Sequence, residues 1–255
     1  MLTIKGLVIR ERPAGENDKW LTVLTAEQGV LEVRARGVRK QNAKNVAISQ
    51  LYSYGSLCLE RSRTGVYFLN SSELIRSFYS VRLDISRLSL ALYFSELTIY
   101  TGTGEQQSAD VLRLFLNTLH YLEVKERSHR LLKPVFELRL MSEIGLVPNL
   151  IGCCKCYKYE DGDMVFDMAE GRLYCSRCCS KRDMTRCAIL DGVLLHALRF
   201  IALSDMERIF SFRISKKHLE ELSLITERYA NIQLGRSFKT LEFYKSTDSY
   251  EEKTD

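Results

Sequence analysis

Gly29-Val30-Leu31-Glu32-Val33-Arg34-Ala35-Arg36-Gly37 reads as a short β-strand that carries positive charge and stops at a glycine. Val30, Leu31 and Val33 supply its apolar content. Arg34 and Arg36, two apart, share one strand face. Upstream, residues 20–25 form a second candidate strand, with Leu21 and Val23 on one face and only partial alternation on the other. Residues 2–10, 51–60 and 66–74 bring the count of candidate strands to five. Turn signals separate them: Pro13-Ala14-Gly15-Glu16-Asn17-Asp18, Glu27-Gln28-Gly29, Gly37, and Arg63-Thr64-Gly65. Five short strands in about 75 residues predict a small closed barrel of the OB type. An SH3-like barrel has a similar strand count, and periodicity does not separate the two.

The charge is concentrated around the same strand. The chain has 255 residues and a net charge of +5. Residues 1–80 hold 12 Lys and Arg against 7 Asp and Glu, and the remaining residues hold 25 of each, so the whole excess lies in the barrel. Arg34, Arg36, Arg39, Lys40 and Lys44 fall within eleven residues that contain no acid. On an OB barrel this is the region that tracks phosphates, with weak sequence preference and strong salt dependence. These five residues and Lys19 are the candidate DNA contacts, Arg10 and Arg12 are weaker additions, and Trp20, Tyr52 and Tyr54 are candidate base stackers. The competing reading is a solvated surface loop.

After residue 80 the period changes to that of a helix. Residues 83–100 are apolar at helical spacing, and Ser108 caps a second segment running to Val124. Residues 131–144 form a third, ended by Gly145, with Pro134 near its start. Asp191 and Ser215 are expected to cap two more. The fold class is therefore α+β, with residues 1–80 as an OB-fold domain, 81–150 helical, 151–182 a finger, 183–246 helical again and 247–255 a polar, frayed tail.

Seven of the eight cysteines lie between residues 153 and 187. Cys153, Cys156, Cys175 and Cys178 form the pattern C-x2-C-x18-C-x2-C, which suits a tetrahedral structural Zn²⁺. Four thiolates close the coordination sphere and leave no activated water, so the role is structural. Cys154 and Cys179 each neighbour a proposed ligand and blur the register, while Cys187 and Cys58 read as ordinary small apolar residues.

Other classes find little support. The apolar runs fall well short of the ~20 residues of a membrane span. The start lacks a charged segment followed by an apolar one, which predicts a cytoplasmic, nucleoid-associated protein. His120, His129, His196 and His218 show no metal or catalytic spacing, and the segment 102–105 lacks a P-loop lysine. Asp161, Asp163 and Asp167 are candidate clustered carboxylates, but they lie inside the finger. The expectation is a protein without catalytic activity.

Several short motifs run in a familiar order. They are Gly15-Glu16-Asn17-Asp18-Lys19, then residues 21–25, Gly29, and Ala35-Arg36-Gly37-Val38-Arg39. Glu143-Ile144-Gly145-Leu146-Val147-Pro148 follows, then the cysteine pairs with Gly171 ahead of the second, then Leu234-Gly235-Arg236-Ser237-Phe238-Lys239-Thr240. In this co-linear set the chain resembles the bacterial recombination mediator family RecO. The resemblance implies an OB-fold, a helical domain and a zinc finger on the four named cysteines. It implies binding and annealing of single- and double-stranded DNA. It further implies work with RecR and with the C-terminal tail of the single-strand-binding protein SSB to load RecA. Lys133, Arg139, Arg199, Arg208, Lys216 and Lys217 are the candidate cations for that acidic, apolar tail. A zinc-finger transcription regulator and a protein-interaction module are the alternatives.

Overall fold

The computed structural model describes residues 1–102, 108–179 and 184–251, with the backbone alone for 249–251. The segment 103–105, read above for a P-loop, and the last four residues of the expected tail lie outside the described residues.

Strands β1 (Leu2–Ala14), β2 (Asp18–Thr25), β3 (Gly29–Ala35), β4 (Ser53–Arg61) and β5 (Tyr67–Ser77) close into a barrel in the order β1-β2-β3-β5-β4. β4 pairs back onto β1, and the seam between β3 and β5 is the barrel's one parallel pairing, Val33 opposite Tyr67 and Arg34 opposite Phe68. That closure decides between the two barrel types left open by periodicity: the barrel is OB-like. Its interior is filled by Val8, Leu21, Val23, Leu31, Val33, Leu57 and Leu59. A register shift between Val8 and Arg10 bends β1, and the Tyr52 N–H donates to the Val8 carbonyl at 2.8 Å beside this bend. Tyr52 sits in the left-handed region at φ 60°, which delays β4 until Ser53.

The chain forms two compact units, one of residues 1–124 and 238 onward, the other of residues 125–237. In the first, α1 (Ile85–Thr101), α2 (Ala109–Val124) and α6 (Lys239–Glu251) accompany the barrel. Asp84 caps α1 by accepting from the Arg87 N–H at 3.2 Å. α6 packs on α1: Phe238 lies edge-on to Tyr93 and Tyr100, and Glu96 accepts from the Thr240 hydroxyl at 2.6 Å. The expected frayed tail is thus helical as far as Glu251, because Phe238, Leu241 and Tyr244 are buried and hold this helix down.

The second unit contains α3 (His129–Glu143), α4 (Gly192–Leu203), α5 (Lys216–Leu234) and a four-stranded sheet. The sheet orders β6 (Asn149–Cys153), β8 (Arg172–Cys175), β7 (Met164–Asp167) and β9 (Cys187–Leu190) side by side. Asp191 caps α4 and Ser215 caps α5, as their positions predict. Ser128 starts α3 earlier than the pattern suggests, which places Pro134 inside the helix. There the ring removes the N–H that would reach the Arg130 carbonyl. Gly171 turns the chain into β8 at φ 63°, and its carbonyl accepts from the Asn149 N–H at 2.8 Å, which docks β6.

Candidate nucleic-acid interface and metal centre

One row of side chains crosses the outside of the barrel. Arg12 lies opposite Trp20, Trp20 opposite Arg34, and Arg34 opposite Phe68, so the four share a face. Leu21, Val33 and Leu69 point inward beside them, which turns Trp20, Arg34 and Phe68 out. The Arg34 guanidinium stands 5.7 Å from the Trp20 ring centre, and that of Arg36 lies 3.9 Å over Phe68. These planes combine positive charge with flat apolar surface, the pairing that single-stranded nucleic acid needs.

Asp18 sets the geometry of this row. Its carboxylate accepts from Arg34 Nε at 3.1 Å and Nη2 at 3.0 Å, and from the Gly37 N–H at 2.9 Å. The Gly37 N–H, then Arg34, hold the Asp18 carboxyl below its ordinary range. Arg39 donates to the Gly15 carbonyl at 3.0 Å, and Lys40 and Lys44 are exposed in the same long connection. Connectivity gathers Arg34, Arg36 and Arg39 at one end of the barrel. β3 ends there, β2 and β5 begin there, and the loops 15–17 and 62–66 lead in, the second bringing Arg63.

Lys19 is placed differently from the other five. Its ammonium pairs with Glu11 at 2.5 Å and donates to the Ser49 carbonyl, leaving the side chain 16% exposed. Arg10 and Arg12 both pair with Glu32, at 3.1 and 2.7 Å. Of the aromatic candidates, Trp20 belongs to the outer row and Tyr54 is half-buried. Tyr52 is fully buried, with its hydroxyl 3.3 Å from Ser95 Oγ of α1 and its ring against Phe115 of α2, so it packs the helices onto the barrel and is not a base stacker. Burial also pushes its phenol far up. Phe68 escaped the sequence reading because Tyr67-Phe68-Leu69 is uniformly apolar and does not announce which residue faces out.

In the finger, the Sγ atoms of Cys153, Cys156, Cys175 and Cys178 all lie within 4.8 Å of one another, with Cys156 and Cys175 at 3.6 Å. Tetrahedral bonds of about 2.3 Å to a metal require sulfurs about 3.8 Å apart, so the set fits one ion. Among the described residues no other group of three or more His, Cys, Asp or Glu is so placed. The first pair sits on a tight turn: Tyr157 N–H donates to the Cys153 carbonyl at 2.8 Å, and Cys153 N–H to the Lys158 carbonyl at 2.8 Å. Tyr157 takes the left-handed conformation, φ 60°, to make that turn. Burial works to raise the Cys153 thiol, but N–H groups of Cys156, Cys175 and Lys155 outweigh it and hold it at about 6. Cys178 is pushed up to about 12, by hydrogen bonds with Cys175 and Cys156 and then by burial. Thiols this close resist ionising together until a dication joins them. Cys154 and Cys179 pack instead against Val165, Tyr174 and Cys187, which removes the register ambiguity. Asp161 pairs with Lys158 and Arg177, and Asp167 accepts from the Ala169 and Glu170 N–H groups, so these two carboxylates serve an ion-pair cluster and a turn.

The second unit also brings together groups that spacing did not connect. His218 Nδ1 lies 2.8 Å from Ser215 Oγ, and its Nε2 lies 2.9 Å from Asp191 Oδ2. Both partners are helix caps, so the imidazole ties the starts of α4 and α5 together. Next to this clasp, Val193, His196, Phe200, Phe212, Arg213 and Ile214 line a cavity of about 390 Å³. Of the six candidate cations on this unit, Lys133 is buried against Glu137 and Glu227. Arg139 is spent on Glu143 and the Ser204 carbonyl, and Arg199 is almost wholly buried. Arg208, Lys216 and Lys217 are exposed.

Comparison with known proteins agrees with this layout. The family described as Recombination protein O N terminal matches residues 1–78, and Recombination protein O C terminal matches residues 82–242. The chain is 32% identical over 247 residues to the DNA repair protein RecO of Acetivibrio thermocellus, covering 97% of each chain. It is 30% identical to that of Alkaliphilus metalliredigens over 96% of this chain and 99% of the relative. To that of Bacillus subtilis it is 29% identical, over 98% and 96%. With both family regions matched in order across the barrel, the helices and the cysteine centre, the chain belongs to the RecO family of DNA repair proteins.

Proposed function

We propose that this chain is a non-catalytic recombination mediator that binds single- and double-stranded DNA, anneals complementary strands and helps load RecA. The observation that carries the reading is the outer row of Trp20, Arg34 and Phe68, with Arg36 stacked on its end. Two polyanionic strands repel each other as they approach. A surface that neutralises their phosphates lowers that barrier and raises the local strand concentration. Arg34, Arg36, Arg39, Lys40 and Lys44 supply the charge, and Trp20 and Phe68 supply planes for unstacked bases. Lys19 contributes by bracing β2 against Glu11. No bond is made or broken in this work.

Four cysteine sulfurs within 4.8 Å of one another favour Zn²⁺ in a structural role, tying the two finger turns together. The family resemblance supplies RecR, SSB and RecA as partners. For the acidic, apolar SSB tail, the cavity beside Arg213 is the best receptor on the second unit. Its walls are apolar, and the acid-free run from Arg208 to Lys217 adds Arg208, Lys216 and Lys217.

The test is strand annealing and DNA binding across a salt series, with Arg34, Arg36, Arg39 and Lys40 all replaced by Ala. Each phosphate contact to single-stranded DNA contributes about 0.7 to the slope of log affinity against log salt. Loss of up to four contacts is expected to flatten the slope by up to about 3 and to slow annealing. An unchanged affinity and slope would remove the barrel end as the DNA site. Titration with an SSB tail peptide, against wild type and Arg213→Ala, tests the cavity. Incubation with DNA, ATP and Mg²⁺ is expected to yield no turnover.

A further inference from the structure

Arg199 stands on α4 with its side chain only 8% exposed. A buried guanidinium needs hydrogen-bond partners, and this one finds four in the loop that carries the first cysteine pair. Nε donates to the Leu150 carbonyl at 2.7 Å, and Nη2 to the carbonyls of Ile151 at 2.9 Å and Tyr159 at 2.8 Å. Nη1 pairs with Glu160 at 2.7 Å, and the guanidinium plane lies 3.9 Å over the Tyr159 ring. Leu150 and Ile151 precede Cys153, whereas Tyr159 and Glu160 follow Cys156. One side chain therefore gathers both arms of the loop and closes them around the two ligands.

We propose that Arg199 is the positioning residue of the metal centre: by clasping residues 150–151 to residues 159–160 it holds Cys153 and Cys156 ready before the ion binds. The inference rests on the reading of the four cysteines as a metal site. Its physical basis is preorganisation. Without the clasp, ordering of the loop would have to be driven by metal binding itself, at the expense of affinity. Lysine cannot replace it, because an ammonium lacks the planar fork that reaches three carbonyls and a carboxylate while stacking on a ring. The guanidinium also adds positive charge to a loop whose centre, four thiolates around a dication, is a net anion.

The experiment compares wild type with Arg199→Lys. Zinc loss to a chromogenic chelator is timed for both, and Co²⁺ absorption at saturation reports the ligand set. Outer-sphere partners of metal ligands are worth about 10- to 100-fold in affinity, so zinc is expected to leave Arg199→Lys about 10- to 100-fold faster, with an unaltered Co²⁺ spectrum. Hydrogen exchange on metal-stripped wild type gives a second readout that needs no variant. The Cys153 and Tyr157 amides, bonded to Lys158 and Cys153, are expected to stay protected without metal. Wild-type release kinetics in Arg199→Lys, or loss of that protection in stripped wild type, would overturn the proposal. A wild-type protein that binds no metal would instead remove the metal reading, while the amide protection would still report on the clasp.

Discussion

Asp18 is the residue on which the basic end of the barrel turns. It orients Arg34 through two bonds and pins Gly37 through a third. Its carboxyl titrates below the ordinary 3.8, so its contribution to stability is complete above the unfolded value and is lost as pH falls through the folded one. Between about pH 4 and pH 2, wild type is therefore expected to lose more stability than Asp18→Asn, as read by denaturant titration at stepped pH. At neutral pH Asp18→Asn frees Arg34 from its anchor and is expected to weaken single-strand binding several-fold by loss of preorganisation. At this scale the sequence was legible in type more than in role. The basic run was visible, but Lys19 was spent on Glu11, eight residues away, and Phe68 came to Arg34 across a parallel seam. Both depend on strand register, which local pattern does not carry.

Elements were more readable than residues. Five strands and the caps at Asp191 and Ser215 follow from alternation and from short polar side chains at helix starts. α6 was missed as a helix because its apolar positions are few and its partner, α1, is far away in the chain. Pro134 was misplaced by the early start of α3. Gly55 gives an element-scale prediction. It sits at a register shift between β4 and β5, and a Cβ there would run into the Glu73 carbonyl and lie 2.7 Å from an Ile48 methyl. Gly55→Ala is expected to cost about 1–3 kcal/mol, with a lowered midpoint in thermal unfolding, because backbone cannot yield as a side chain can. Gly192→Ala meets no atom within 4 Å and is expected to leave the midpoint nearly unchanged.

For the molecule as a whole, the two chemistries are kept in different units. The basic barrel end belongs to the unit built from residues 1–124 and 238 onward, and the cysteine centre to residues 125–237. Stripping the metal is therefore expected to lower the thermal stability of the second unit while leaving single-strand affinity within about twofold. Calorimetry beside a DNA titration checks both halves of that statement. The charge partition along the sequence already separated a positive barrel from a neutral body. It did not reveal that three helices would join the barrel, since that follows from packing across long sequence distances.

The return of α6 to α1 has a consequence for how the chain is made. Residues emerge from the ribosome in order, at about 5–20 per second, and a domain normally folds once its last segment is out. Here α1 must wait for α6, because Phe238 and Thr240 complete the packing of Tyr93 and Glu96. The intervening segment, with its cysteines, can finish first. A nascent chain stalled before residue 238 would then carry a finished finger and an α1 that still lacks its partner helix.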